Sequence, residues 1–181
     1  MIKEKNNKRF VLAGGPSTGK TSVINELKKL GFACFDEAAR GILSNYSYRG
    51  SNFKLDPIKI SNEILTKRDK DYNAALNISC KNDIIFYDRG VHEITAYLRH
   101  INQSTNYWEE LLENYKYDMV FIFPSWKEIY TKDDNRIEEY EEAIKIAPFI
   151  HQIYDESSTL IVEVPNIGIK ERVNFILNSI K

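Results

Sequence analysis

Cysteine, proline and glycine are scarce here, with 2, 5 and 8 residues in a chain of 181, and no charge of one sign dominates. Cys34 and Cys80 lie far apart, with no metal-ligand spacing and no His or Cys neighbour. That excludes a disulfide scaffold or a zinc module and leaves two buried free thiols in a reducing compartment as the expectation. The 25 Lys and Arg nearly balance the 26 Asp and Glu, for a net charge of -1. No electrostatic footprint for nucleic acid or a membrane surface follows from such a balance. The N-terminal run MIKEKNNKRF is charged, and the apolar run after it is too short for a signal peptide or a membrane span. Repeats and low-complexity linkers are absent too. A single cytoplasmic domain over residues 1–181 is expected, large enough to bury a core without staples.

Apolar runs alternate with helical patterns, as in βαβ units on a parallel sheet. Strands are expected near 9–13, 32–35, 83–87, 118–123 and 159–164. Helices are expected near 20–30, 37–45, 57–80, 91–101, 105–116, 136–154 and 168–180. Asp56-Pro57 supplies an N-cap and an N1 proline for the third helix. Pro148 falls inside a helical pattern and should kink it or end it early. The aperiodic segment SNYSYRGSNFKL, 44–55, is expected to be a mobile loop.

The chemistry starts at residues 14–21. Gly14, four residues (Gly15, Pro16, Ser17, Thr18) and then Gly19-Lys20-Thr21 satisfy the phosphate-loop pattern, with Ser22 following. Glycines let the backbone come close to a ligand, and successive N–H groups make an anion nest at a helix N-terminus. Lys20 would reach the β- and γ-phosphates of ATP, and the Thr21 hydroxyl would sit on Mg²⁺. Phe10-Val11-Leu12-Ala13 before the loop reads as a buried strand. Val23, Ile24, Leu27 and Leu30 after it form a helical stripe, closed by Gly31.

A phosphate loop needs a carboxylate to manage magnesium. Asp88 stands at the carboxyl end of the strand-like run Ile84-Ile85-Phe86-Tyr87, the end that faces the ligand crevice in an open α/β sheet. It could hold Mg²⁺ or take a proton from an acceptor hydroxyl, and Arg89 could meet phosphate or substrate. Glu37 and Arg40, spaced i, i+3, would share one face at a helix start and suit a polar small molecule. Between Glu37 and Asp88, the residues leave open which is the base. The polar stretch 124–136 after the fourth strand is a candidate lid, with Arg136 as its cation to the moving phosphate and Lys127 and Lys132 as solvated charges. Thr131-Lys132-Asp133-Asp134 spells a guanine-recognition motif, but SWKEIY separates it from the strand, so ATP is preferred over GTP. His92, His100 and His151 have no partner pattern for metal or nucleophilic chemistry.

Together, GGPSTGKTS, DEAAR, FYDRGVHEITAYL, DNRIEEYEEA and VEVPNIGIKERVNFIL run in order over essentially the whole chain. In these the sequence resembles the P-loop family that includes the nicotinamide riboside kinase domain of the bifunctional NAD-biosynthesis regulator, together with AAA-type predicted ATPases. The resemblance implies a kinase-like core with a parallel sheet ordered 2-3-1-4-5 and helices on both faces. It also implies acceptor-side roles for Glu37 and Arg40, the magnesium and acid–base position for Asp88, and the lid position for Arg136. The chain departs from the riboside kinase after the third strand, where it carries Asp88-Arg89-Gly90. Nicotinamide riboside is therefore not implied as the acceptor.

The function expected is an ATP-dependent kinase acting on a small nucleoside- or nucleotide-like acceptor, with no nucleic-acid or membrane partner. The alternative is a regulatory ATPase or GTPase switch acting through a protein partner. An enclosed acceptor pocket beside Glu37 and Arg40 favours the first; an exposed apolar patch without a second pocket favours the second.

Overall fold

A run with no polar face, such as Phe10 to Ala13, can only be a strand covered on both sides. In the computed structural model, which describes residues 7–47, 56–129 and 140–181, β1 (Lys8–Ala13) is the central strand. With β2 (Ala33–Phe35), β3 (Ile84–Asp88), β4 (Met119–Ile122) and β5 (Leu160–Glu163) it forms a five-stranded parallel sheet in the order β2-β3-β1-β4-β5. That is the expected fold class.

Alternation along the strands divides the core in two. Phe10 and Leu12 join Phe86 and Phe121 on one face, under Val23, Ile24 and Leu27 of α1 (Lys20–Lys29) and Val173 and Ile176 of α7 (Ile169–Ser179). Val11 and Ala13 join Ile85, Tyr87 and Val120 on the other face. There they meet α4 (His92–His100), α5 (Asn106–Leu111) and α6 (Tyr140–Glu156) through Ile94, Leu98, Trp108, Ile150 and Tyr154. Leu30 caps α1, and Gly31 follows at φ +86°, the conformation a helix end of this type needs. Gly31 N donates to Lys28 O (2.9 Å) and Phe32 N to Leu27 O (3.1 Å), which satisfies two otherwise orphaned carbonyls.

α2 (Ala38–Ser47) takes in residues 44–47 of the expected loop; 48–55 lie outside the described residues. α3 (Pro57–Ala74) begins as expected: the Asp56 carboxylate accepts from Ile58 N (2.9 Å) and Lys59 N (3.2 Å). It ends earlier than expected. Asn7 Nδ2 donates to Ala75 O (2.7 Å) and Ile78 O (2.9 Å), so carbonyls that would extend the helix are taken by a distant side chain. Pro148 does not end its helix early, because α6 continues through it to Glu156. Pro148 is exposed, and the Ile144 carbonyl it leaves without a donor belongs to an exposed residue too, so water can serve it. Cys34 and Cys80 are half-buried rather than buried and form no disulfide. Among the described residues no helix is long and apolar enough to cross a membrane.

His92 is structural. It is 1% exposed, stacks on Tyr154 (centroids 5.1 Å, 15°), and its Nδ1 has no hydrogen-bond partner. Burial, and then the Lys116 charge, lower its pKa to about 4. The unfolded chain takes up this proton near the ordinary 6.5 while the folded chain resists it. Stability should therefore be intact above pH 6.5 and fall by about 3 kcal/mol as pH drops towards 4. Chemical denaturation across that window checks it: His92→Phe should flatten the slope, and an unchanged slope would assign the acid sensitivity elsewhere.

Candidate functional site

The strand order decides what meets at the carboxyl edge of the sheet. β3 lies between β2 and β1, with Phe35 opposite Tyr87 and Leu12 opposite Asp88. The residues just beyond these ends, Glu37, Asp88-Arg89 and the loop from Gly14, are thereby brought side by side.

The loop has the backbone such a cradle requires. Gly14, Ser17 and Gly19 have φ of +136°, +58° and +88°. A Cβ on Gly14 would stand 2.4 Å from the Phe123 backbone oxygen, so that position excludes a side chain by space as well as by conformation, while Gly19 is required by its conformation. Lys20 is buried and folds back over the loop, donating to Gly14 O (3.0 Å), Gly15 O (2.6 Å) and Thr18 Oγ1 (3.0 Å). Those oxygens occupy the ammonium as phosphate oxygens would. Burial first, and the Arg89 charge second, bring the Lys20 ammonium down to about 8.

Thr21 Oγ1 donates to Asp88 Oδ2 at 2.8 Å, while Asp88 Oδ1 is buried with no partner. Burial and then the Glu37 charge raise the Asp88 pKa. An orphaned carboxylate oxygen next to a hydroxyl at the start of α1 fits a divalent cation. Among the described residues no group of three or more His, Cys, Asp or Glu could hold a metal, so a cation at Thr21 and Asp88 would complete its shell with water and phosphate oxygens.

Glu37 precedes α2, and its partner is not Arg40. Arg89 Nε donates to Glu37 Oε1 at 2.5 Å, and Arg89 Nη1 donates to Gly14 O (2.7 Å) and Glu93 Oε1 (2.8 Å). Burial alone would raise the Glu37 carboxyl, but Arg89, with Lys20 and Arg68, holds it down to about 2. Arg89 itself sits at φ +77°, a conformation a non-glycine residue keeps only where its surroundings hold it. Glu93 provides that hold, since it also accepts from Gly90 N (3.0 Å) and is placed 3.4 Å from Gly14 N. Arg40 is exposed on α2 and lines the same cavity. Lys127 starts a short turn, while Lys132, Arg136 and the Thr131–Asp134 motif lie outside the described residues.

Three buried side chains here were not singled out from the sequence. Glu93 had a signal: its spacing from Gly90 is that of the return bond in a capping box, and from Arg89 that of a helical ion pair. Arg172 of α7 donates to Thr18 O (2.9 Å) and lies 4.5 Å over the Trp126 ring, bracing the loop from behind. Arg68 of α3 donates to Gly90 O at 2.6 Å. Neither arginine has a local sequence signal, because both act across the fold.

A cavity of about 390 Å³ joins these parts. It opens at Ser17–Ser22, passes Glu37 and Arg89, and continues between α2, α3, α4 and α6, where Leu43, Ile60, Ile64, Ile94 and Ile150 form apolar walls. An open depression along the start of α3, at Asp56 to Thr66, contains none of the phosphate-binding elements.

The profile of the AAA-domain family matches residues 9–172. The chain belongs to that family. Comparison with curated protein sequences gives no match. Among solved structures, this AAA domain is similar to a deoxyadenosine kinase from M. mycoides with dCMP and a flexible dCDP bound, at TM-score 0.71 and 18% identity over 95% of this chain and 98% of that one. It is also similar to thymidylate kinase from Candida albicans, at TM-score 0.74 and 16% identity over 96% and 91% of the two chains. A NadR protein in complex with NR aligns at TM-score 0.74 and 15% identity, over 96% of this chain and 50% of the NadR chain. At such identities the likeness is one of fold.

Proposed function

We propose that this AAA domain is a P-loop phosphotransferase that moves the γ-phosphate of Mg-ATP to a hydroxyl or phosphate of a nucleoside-like small molecule. One observation carries the reading: the phosphate loop, the Glu37–Arg89 ion pair and apolar side chains of α2, α3, α4 and α6 line a single cavity. A slow regulatory switch needs only the first part.

In this reading the amides of Gly14 to Lys20 and the Lys20 ammonium bind the β- and γ-phosphates. Thr21 and Asp88 would hold Mg²⁺, which when bound would supply charge neutralisation at the transferring group. Glu37 accepts the hydrogen bond of the acceptor hydroxyl and aims its oxygen in line with the γ-phosphorus. Arg89, fixed by Glu93, holds Glu37 in place and faces the developing charge. Such transfer depends mostly on positioning and on fixed charges, which suits a site of few side chains.

The neighbours named as deoxyadenosine and thymidylate kinases support a nucleoside-type acceptor. The direct test is ADP release from Mg-ATP with and without a panel of nucleosides, nucleotides and pyridine ribosides. Strong stimulation by one class is expected. Slow release that no compound alters would count for the regulatory switch.

A further inference from the structure

The phosphate loop has a charged partner on its far side. Arg172, in the first turn of α7, is 2% exposed and donates from Nη1 to Thr18 O at 2.9 Å. Its guanidinium lies 4.5 Å from the centre of the Trp126 ring and 5.8 Å from that of Phe123, and these rings keep the fork against the loop. Nε and Nη2 are buried with no partner, and no carboxylate among the described residues pairs with the charge. Burial lowers its pKa. A buried cation without a counter-ion is costly to keep, and an anion in the loop would supply the missing charge.

The bond to Thr18 also fixes the direction of a peptide. The Thr18–Gly19 link is trans, so its carbonyl and its N–H point in opposite directions. With Thr18 O turned back to Arg172, the Gly19 N–H is aimed away from α7, towards the inside of the loop. Gly19 has φ +88°, and a glycine adopts the reversed peptide, with negative φ, as readily. The loop's own sequence therefore does not choose between the two. We propose that Arg172 is a positioning residue for the triphosphate: it holds the Thr18 carbonyl behind the loop, so that the Gly19 N–H already faces a phosphate oxygen when ATP arrives. This rests on the ATP site proposed above. Without the arginine the peptide is free to reverse, its carbonyl then opposes the anion, and affinity falls with the fraction still facing forward. A hydrogen bond from a charged donor sets the scale of that loss at about 10- to 100-fold.

The test uses AMP-PNP, a non-hydrolysable ATP analogue, with Mg²⁺, and needs no acceptor. Thr18-Gly19 is the only Thr-Gly step in the sequence, so carbonyl-¹³C threonine with ¹⁵N glycine isolates its amide in NMR spectra. In the unaltered protein that resonance should move downfield on binding, as an amide does when it donates to an anion. A resonance that stays in place overturns the proposal with no variant needed. By calorimetry, Arg172→Met keeps an apolar stem against Trp126, sheds the buried charge and should bind the analogue about 10- to 100-fold more weakly. Arg172→Lys keeps a cationic donor without the planar fork and should recover part of the affinity. Packing alone gives the reverse order, with Met at least as good as Lys. That order overturns the proposal, and so does unaltered affinity in folded Arg172→Met. If the unaltered protein binds no analogue, the phosphate-loop assignment falls and this inference with it. If it binds as expected and no acceptor stimulates ADP release, the kinase reading falls alone.

Discussion

Lys20→Ala should abolish triphosphate turnover, a loss of about 10³-fold or more, in a protein that still folds. The lysine folds back over the loop, and its three hydrogen bonds to Gly14 O, Gly15 O and Thr18 Oγ1 mark where phosphate oxygens would be received. Its pKa falls from 10.5 to about 8 on burial, so the ammonium is less stable in the native chain than in the unfolded one. Below pH 8 that penalty is present in full, and it is relieved as pH rises towards 10.5. Removing the charge therefore should not lower Tm at neutral pH. The same shift sets the pH dependence of ATP binding in the unaltered protein. Affinity should be flat below about 8 and fall above it, because an anion needs the charged lysine and must then bind together with a proton. ATP titration by calorimetry at several pH values measures this, with circular dichroism of Lys20→Ala alongside. Unchanged turnover in the folded variant would remove the phosphate-loop assignment, and everything built on it.

What could be read in the sequence was what is local. A buried strand without a polar face, a glycine at a helix end and an Asp-Pro helix start each depend on residues within a turn of one another, and β1, Gly31 and Asp56 are where those signals placed them. Errors appear where a distant group intervenes. Asn7 takes the carbonyls beyond α3, and solvent exposure lets α6 carry Pro148. The candidate site divides the same way. The loop and the Asp88-Arg89-Gly90 turn are contiguous in sequence, so their chemistry was visible before their geometry. Helical spacing placed Glu37 and Arg40 on one face, and both line the cavity, whereas the ion pair of Glu37 with Arg89, 52 residues away, arises because β2 lies beside β3. Strand order is not written in any one segment, and neither are the cross-fold contacts of Arg68 and Arg172.

That pairing makes Glu37→Gln the decisive substitution on the acceptor side. The expected result is a fall of about 10²-fold or more in acceptor-dependent turnover, with ATP affinity changed less than about threefold. A carboxyl held down to about 2 is ionised at every working pH and is a poor proton sink. Its contribution is then to orient the hydroxyl and to accept its hydrogen bond, and the proton passes late to an oxygen of the transferred phosphoryl group, as a loose transition state allows. No rate step near neutral pH should therefore trace to Glu37. Glutamine keeps the shape and an acceptor oxygen but loses the charge, so it separates orientation by a carboxylate from simple packing. The ATP readout is needed because Arg89 bridges Glu37 to Gly14 O of the phosphate loop, at 2.5 and 2.7 Å. Loss of the Glu37 charge could reach the donor side through that bridge, and through the fields it exerts on Lys20 and Asp88. Glu93 also binds Arg89 and should hold it against Gly14 in the variant. If ATP affinity collapses and acceptor dependence is intact, Glu37 acts on the loop through Arg89 and the acceptor-side assignment is wrong. If turnover falls and ATP still binds, the carboxylate faces the acceptor.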